Sequence, residues 1–267
     1  MSGYDAPDEP RRIKSVQTAS RIVSVVQRLS NPTLGDICAE LDASKGTIHT
    51  YLATLEEEGF LMRDGQSYRL GLRFVTLSES VRNETQLYRA GKEEVDALAA
   101  RTHEYAHLTL VQQGREVTIY ESRGDDAVAT DYHLRMRETP QHLHYSASGK
   151  ALLSQFDDER VRSILDSEGL TEQTANTITD RDELFATLEQ IRERGYAVND
   201  EEEIRGMRSV GAPIRGVDGG VCGAVSVTAP TSRLTGDRFK TEVPKLVVET
   251  ANLIELNLET AVYDRRR

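Results

Sequence analysis

The 267-residue chain has no tryptophan, two cysteines and six lysines. Two isolated thiols, Cys38 and Cys222, exclude a disulfide framework and a thiolate metal cluster, so both are expected to be small buried hydrophobes. No run approaches the roughly eighteen apolar residues of a membrane span, and MSGYDAPDEPRR at the start is no hydrophobic signal segment. The expectation is a soluble, cytoplasmic chain with no membrane partner. Phosphate-cradling glycine motifs and the HExxH zinc pattern are both missing, and no cofactor is implied. Lysine scarcity leaves 33 basic against 44 acidic residues, a net charge of -11, which argues against a generic nucleic-acid coat.

What is present is uneven. Residues 1–75 carry 9 basic and 10 acidic side chains, whereas residues 76–267 carry 24 and 34. The acidic excess therefore lies almost wholly outside the first quarter. Such a surface suits a high-salt medium, where like charge is screened, and equally suits an ordinary acidic cytosolic protein.

A proline-containing arm over 1–12 is expected to be flexible. From Ser15, apolar residues at Val16, Ala19, Ile22, Val23, Val26 and Leu29 recur at helical spacing until Asn31-Pro32. A short helix follows around Leu34, Ile37, Cys38 and Leu41. Ser44 is a natural N-cap for a third helix with an Ile48/Leu52/Leu55 stripe, closed by Gly59. FLMRDGQSYRLG then predicts a hairpin around Asp64-Gly65. Three helices and a hairpin over 13–75 make a winged helix-turn-helix. Helical patterns over 72–82 and 86–102 give a linker at 76–102, and the second is the expected place for two copies to pair.

Beyond residue 103 the period changes. AHLTLVQ, EVTIYES and AVATDYHL predict strands, LHYSASGKALLSQF an extended piece running into a helix, and 157–167 and 180–194 further helices. YAV, APIR and VCGAVSVTAP predict more strands before a terminal helix over about 237–261. The fold class is α+β, with an α/β sensor-sized domain over 103–263.

The third helix has two unlike ends. Ser44, Lys45, Thr47, His49 and Thr50 offer donors suited to base edges and phosphates, while Glu56, Glu57 and Glu58 stand about 16–18 Å away at 1.5 Å per residue. Entry of the N-terminal end into a major groove keeps the glutamates clear of phosphate. Arg11, Arg12 and Lys14 in the arm, Arg21 or Arg28 on the first helix, and Arg63 and Arg69 near the wing are the candidate phosphate contacts. The expected partner is a double-stranded DNA operator, met by a two-fold pair of chains. A winged domain used to bind another protein, with a dimerising scaffold behind it, is the alternative.

Enzyme chemistry finds little. Ser146 and Lys150 are a helical turn apart, but no third group completes a nucleophile. His142 and His144 share a strand-like face without further metal ligands. Ser226 and Thr228 also share a strand face, opposite Val225 and Val227, so that face is either a cavity wall or a solvent edge. Ser148-Gly149-Lys150 is either a helix cap or a set of amides for a ligand carboxylate.

KSVQTASRIVSVVQRL, ASKGTIHTYLATLEEEGFL, YRLG, HLHYSASGKALL, GYAVNDEEEIRGMRSVGAPI and GAVSVTAP, in that order, resemble the IclR family of transcription regulators over nearly the whole chain. The resemblance implies a DNA-binding domain joined by a helix to a GAF/PAS-like effector-binding domain, working as a homodimer or a dimer of dimers. It also implies a small-molecule effector contacted by Ala147, Ser148, Asn199, Ser209, Ser226 and Thr228. Asn199 and Ser209 stand where small-acid-binding relatives carry Asp and Cys, and Thr50 where many carry Arg, so ligand charge and one DNA contact are expected to differ.

Overall fold

The computed structural model describes residues 12–128 and 140–265, and the chain divides into two compact units, 1–81 and 82–267. Arg11 and most of the AVATDYHL run lie outside the described residues. Ala127 and Val128, which open that run, are not in a strand.

In the first unit, α1 (Lys14–Leu29), α2 (Leu34–Glu40) and α3 (Lys45–Glu57) precede a two-stranded wing, β1 (Leu61–Asp64) and β2 (Ser67–Leu70). Ile22, Val25 and Val26 of α1 meet Ile37 of α2, the Ile48/Leu52/Leu55 stripe of α3, and Leu61 and Tyr68 of the wing in one buried cluster. Each helix ends for a local reason. Thr33 and Asp36 form a reciprocal capping box at α2, Asp36 Oδ2 accepting from Thr33 N at 2.8 Å. Those hydrogen bonds hold the Asp36 carboxyl below its usual range. At the end of α3, Gly59 takes φ 73°, its N–H donates to Glu56 O, and Phe60 N–H donates to Leu55 O. This Schellman motif turns the chain into the wing. The hairpin loop is one residue later than expected: Asp64 pairs with Ser67, so Gly65-Gln66 make the turn, with Gly65 at φ 61°. Only the first loop position needs positive φ here, as in a II′ turn.

α4 (Arg73–Glu84) has no buried residue, and Val75, Leu77 and Val81 on it are exposed, as is Leu72 just before it.

The second unit is built on a six-stranded antiparallel sheet in the order β5-β4-β3-β8-β7-β6. Its strands are β3 (Tyr105–Gln112), β4 (Arg115–Arg123), β5 (Gln141–His142), β6 (Ala197–Asp200), β7 (Met207–Arg215) and β8 (Val221–Pro230). β7 is much longer than APIR. Its first half, MRSVG, has no apolar alternation, yet it lies between β6 and β8 and bonds to both. One sheet face presents Ala106, Leu108, Val210, Ala212, Val225 and Val227 to α5 (Gln86–Thr102) and the terminal helix α9 (Val243–Arg265). Leu87, Gly91, Val95, Leu98 and Ala99 of α5 are buried there, so the apolar side of this helix is spent within its own domain. α4, by contrast, keeps its apolar residues exposed.

The opposite face is covered by α6 (Ala147–Leu153), α7 (Asp158–Glu168) and α8 (Arg181–Arg194). Leu143, Ala151, Leu152, Leu184, Leu188 and Ile191 pack with Ala197 and Ala224 under one half of it. The other half is polar and holds the candidate ligand site. Behind it, Glu104, 1% exposed, is gripped by the forked guanidinium of Arg233 at 2.7 and 2.5 Å, which ties the start of β3 to the segment after β8.

Candidate functional site

Two surfaces matter, one in each unit. In the first, Ser44 caps α3, accepting from Thr47 N at 3.2 Å, with the two hydroxyls 2.8 Å apart. Thr50 donates its hydroxyl to Gly46 O at 3.1 Å. Ser44, Thr47 and Thr50 are therefore exposed but partly engaged in shaping the helix. Lys45 and His49, one turn apart on the same exposed side, project without an intramolecular hydrogen bond among the described residues. Together with Arg63 of the wing they border a concavity floored by Thr33, Gly35 and Tyr68. Arg63 Nε donates to Gly65 O at 3.1 Å, which braces the hairpin tip and holds the guanidinium at the wing's edge.

Arg12, Lys14, Arg21 and Arg69 are exposed, whereas Arg28 is tied to Glu40 at 2.6 Å. Glu56 and Glu57 end the helix on the far side, and Glu58 forms an ion pair with Arg73 at 3.4 Å. The chemistry of α3 is thus graded along its length, with cation and donors at one end and carboxylates at the other.

In the second unit, strand register assembles the site. Asn199 stands beside Ser209, Ser209 beside Thr228, and Thr228 beside Tyr105 across four strands. The next row runs from Gly211 through Ser226 and His107 to Glu121. Because alternate residues share a face, these rows put hydroxyls and an imidazole on the side that α6 covers. The α6 N-terminus comes close because Gly211 has no side chain: a Cβ there would lie 2.8 Å from Ala147 C and from Ser148 N. The space left between α6 and the two rows is a cavity.

Five of the six effector candidates line this cavity: Ala147, Ser148, Ser209, Ser226 and Thr228. The hydroxyls of Ser209 and Thr228 are 3.0 Å apart. Asn199 is not in the lining. Its Oδ1 accepts from Glu202 N at 2.8 Å and its Nδ2 donates to Glu203 Oε2 at 3.3 Å, so it shapes the loop from which Glu203 reaches the wall. An Asp at 199 could accept the first bond but would repel Glu203.

The cavity also contains residues the sequence did not single out. Glu116, buried on β4, accepts hydrogen bonds from the hydroxyls of Ser146 and Ser148, one at each carboxylate oxygen. Burial pushes its carboxyl up, against the hydrogen bonds from Ser146, Ser148 and Thr109, which favour the charged form. His107, whose Nε2 lies 3.2 Å from Glu121, lines the wall together with Thr109 and Thr118. His107 and Thr109 alternate in AHLTLVQ as Ser226 and Thr228 do in theirs, and that alternation was the available signal.

Ser146 and Lys150 do not meet as a nucleophilic pair. Ser146 caps α6, accepting from Gly149 N at 2.9 Å, and Lys150 Nζ is committed to both oxygens of Glu202 at 2.5 Å. The amides of Gly149 and Lys150 are taken by the hydroxyl and the carbonyl of Ser146, and neither bond engages the amide of Ser148. His142 and His144 pack edge to face at 5.7 Å, and His144 Nε2 bonds Thr171 O at 3.0 Å. Burial drives the His144 imidazole down to about 4. Among the described residues no group of three or more His, Cys, Asp or Glu side chains could hold a metal ion. Cys38 and Cys222 are half-buried rather than buried, and the Cys222 thiol is pushed up to about 11 by burial.

Comparison with known proteins covers both surfaces. Residues 15–65 match the family model described as "IclR helix-turn-helix domain", and residues 80–256 match "Bacterial transcriptional regulator IclR C-terminal". A Halobacterium salinarum protein named "Probable HTH-type transcriptional regulator ArcR" is 48% identical over 254 residues, covering 95% of this chain and 97% of that one. An IclR transcriptional regulator structure from Alicyclobacillus acidocaldarius superposes with a TM-score of 0.80 at 26% identity, over 93% of this chain and 100% of that one. A homologue from Microbacterium hydrocarbonoxydans, in complex with 4-hydroxybenzoate, has the same fold with a TM-score of 0.78 at 21% identity, over 92% and 99%.

Proposed function

Since the chain belongs to the IclR family of helix-turn-helix transcription regulators, we propose that it reads a DNA operator with the N-terminal end of α3 and releases or holds it according to a small molecule in the second unit's cavity. The relatives are regulators, not enzymes, and no catalytic arrangement is needed here. The observation that carries the DNA reading is the exposed, unengaged pair Lys45 and His49 beside Arg63, with the glutamates at the far end of the same helix. Ser44, Thr47 and Thr50 supply hydroxyls on that side. Arg12, Lys14 and Arg69 are the further phosphate contacts, and Arg28 is the weakest candidate because Glu40 neutralises it.

The effector reading draws on the enclosed polar wall formed by Ser148, Ser209, Ser226 and Thr228, and on the small molecule held by the Microbacterium homologue. A ligand shifts DNA affinity only by the difference in its affinity for two arrangements of the protein. A coupling of about 1–3 kcal/mol changes operator affinity roughly 5- to 150-fold. Two copies pair in this proposal through α4, whose exposed Val75, Leu77 and Val81 support it. No described helix is long and apolar enough to cross a membrane, in keeping with a cytoplasmic regulator. The acidic excess outside residues 1–75 supports a preference for high salt.

Footprinting on the DNA flanking the chain's own gene tests the proposal. The wild type is expected to protect a two-fold site, and Lys45→Ala with His49→Ala to weaken it about 10- to 100-fold, from lost base and phosphate contacts. Tight binding of a protein partner with no specific footprint would replace this reading with that of a protein-interaction module.

A further inference from the structure

The buried side of α3, in the helix-turn-helix that the family model covers, is marked by Ile48, Leu52 and Leu55. On the opposite side Gly46, Thr50, Ala53 and Glu57 follow one another at spacings of four, three and four, all of them exposed. Lys45 and His49 stand to one side of this line, at the concavity they share with Arg63. The outermost line of the helix, which a major groove meets first, therefore carries no charged side chain before Glu57.

The hydroxyls along that line are turned inward. Thr50 donates to Gly46 O at 3.1 Å, and Thr54, exposed beside it, donates to Thr50 O at 3.0 Å. With Oγ1 folded back on its own helix, the γ-methyl is the heavy substituent of each threonine Cβ that is left to face outward. In that arrangement the hydroxyl hydrogen is not offered to guanine O6, guanine N7 or thymine O4. Ala53 adds a third methyl. Gly46 has no internal reason to be glycine: its φ is not positive, and a Cβ there would meet only Ser44 Oγ, at 3.9 Å. Glycine is a poorer helix former than alanine, and a bare backbone suits close approach from outside.

We propose that α3 selects thymine: Thr50 and Ala53 set their methyls against the 5-methyl groups of thymines on neighbouring base pairs, and Gly46 lets the helix backbone lie close enough for that contact. Among the donors and acceptors of the major groove the thymine methyl is the apolar mark, and alanine and threonine methyls are its natural partners. Thr50 and Ala53 are separated by about 4.5 Å along the helix axis, close to a base-pair step of about 3.4 Å. The proposal rests on α3 being the groove reader and specifies the sequence it prefers, with Lys45, His49 and Arg63 holding the flanking phosphates and base edges. Glu57, at the end of the same line, limits the contact because phosphate repels it.

The test uses the full chain and a duplex selected by its binding from random sequence. Deoxyuridine in place of thymine removes only the 5-methyl, and at each contacted position of the protected half-sites it is expected to weaken binding about three- to fivefold, as for one buried methyl. Thr50→Val keeps the methyl and is expected to bind as the wild type does. Thr50→Ser keeps the hydroxyl, and is expected to lose about the same factor and to ignore deoxyuridine at the position Thr50 touches. Gly46→Ala is expected to fold at least as stably and yet to bind about tenfold more weakly, because its methyl crowds the duplex. A specific footprint indifferent to deoxyuridine at every thymine would overturn the methyl contact and leave operator reading in place. Thr50→Val losing affinity while Thr50→Ser keeps it would also overturn it, and Gly46→Ala binding like the wild type would overturn the close approach. If the chain selects no sequence at all, the thymine preference and operator reading fall together.

Discussion

Lys150 Nζ and the Glu202 carboxylate meet at 2.5 Å in a place almost closed to water, the two side chains being 2% and 9% exposed. Burial pushes the lysine down and the glutamate up, and their attraction opposes both shifts. The pair locks α6, which forms one wall of the cavity, to the loop that carries Glu203. Thr177 fixes the same loop by donating to Glu202 O at 2.6 Å. Lys150→Met leaves a buried unpaired carboxylate and is expected to cost about 3–5 kcal/mol, whereas Lys150→Met with Glu202→Leu should recover most of it. Urea unfolding of the single and double variants measures this. A single variant as stable as the wild type would show the pair to be open to water.

Gly211→Ala probes the approach of α6 to the sheet. The added methyl would lie 2.8 Å from backbone atoms of Ala147 and Ser148, which cannot swing aside as a side-chain tip can. Either β7 or α6 must shift, at a cost of about 1–3 kcal/mol. Chemical denaturation reads the loss, and ligand affinity should fall with it because Ser148 moves away from Glu116.

His144 makes stability sensitive to acid. Its imidazole is held at about 4 when folded, against 6.5 for the unfolded chain, because it is buried against His142 and Tyr145. Above pH 6.5 both states are neutral and nothing is lost. As pH falls from 6.5 towards 4, the unfolded chain takes up a proton that the folded one refuses, so stability declines by about 1–3 kcal/mol. His144→Phe should remove that decline. Comparing unfolding free energies of the two proteins at pH 7.5 and 4.5 isolates it from the carboxylates, and an equal loss in both would reject it.

Cys222 should be slow to react. Its thiol donates to Ile214 O at 3.5 Å and is pushed up to about 11. At pH 8 only about one molecule in a thousand carries the thiolate, so a disulfide reagent should attack it roughly a hundredfold more slowly than free cysteine. Measuring the rate in a Cys38→Ser background, folded and in urea, separates burial from chemistry.

Much of the fold was legible because it is set locally. Ser44, Gly59 and the apolar stripes of α1 and α3 stop, start and orient their helices through neighbours a few residues away. The Val225/Ser226/Val227/Thr228 alternation announced a two-faced strand, and the register bears this out, with valines on the α5 and α9 side and hydroxyls on the α6 side. The first half of β7 was not legible, because Arg208, Ser209 and Gly211 have no strand pattern of their own and are held by bonds from both flanks. The hairpin loop fell one residue away from its expected place for a related reason: cross-strand pairing, not the Asp-Gly dipeptide, fixed the register.

Taken alone, the sequence determined where helices begin and end, which face of each is apolar, and that α3 has a cationic and an acidic end. Those properties follow from side-chain period and capping, which are short-range. The tertiary structure decided which polar residues share a cavity, that Asn199 shapes a loop rather than lining the wall, and that Glu116 meets Ser146 and Ser148 across some thirty residues of chain. Strand order and register bring such groups together, and both depend on hydrogen bonds between segments far apart in the chain, which no local pattern records.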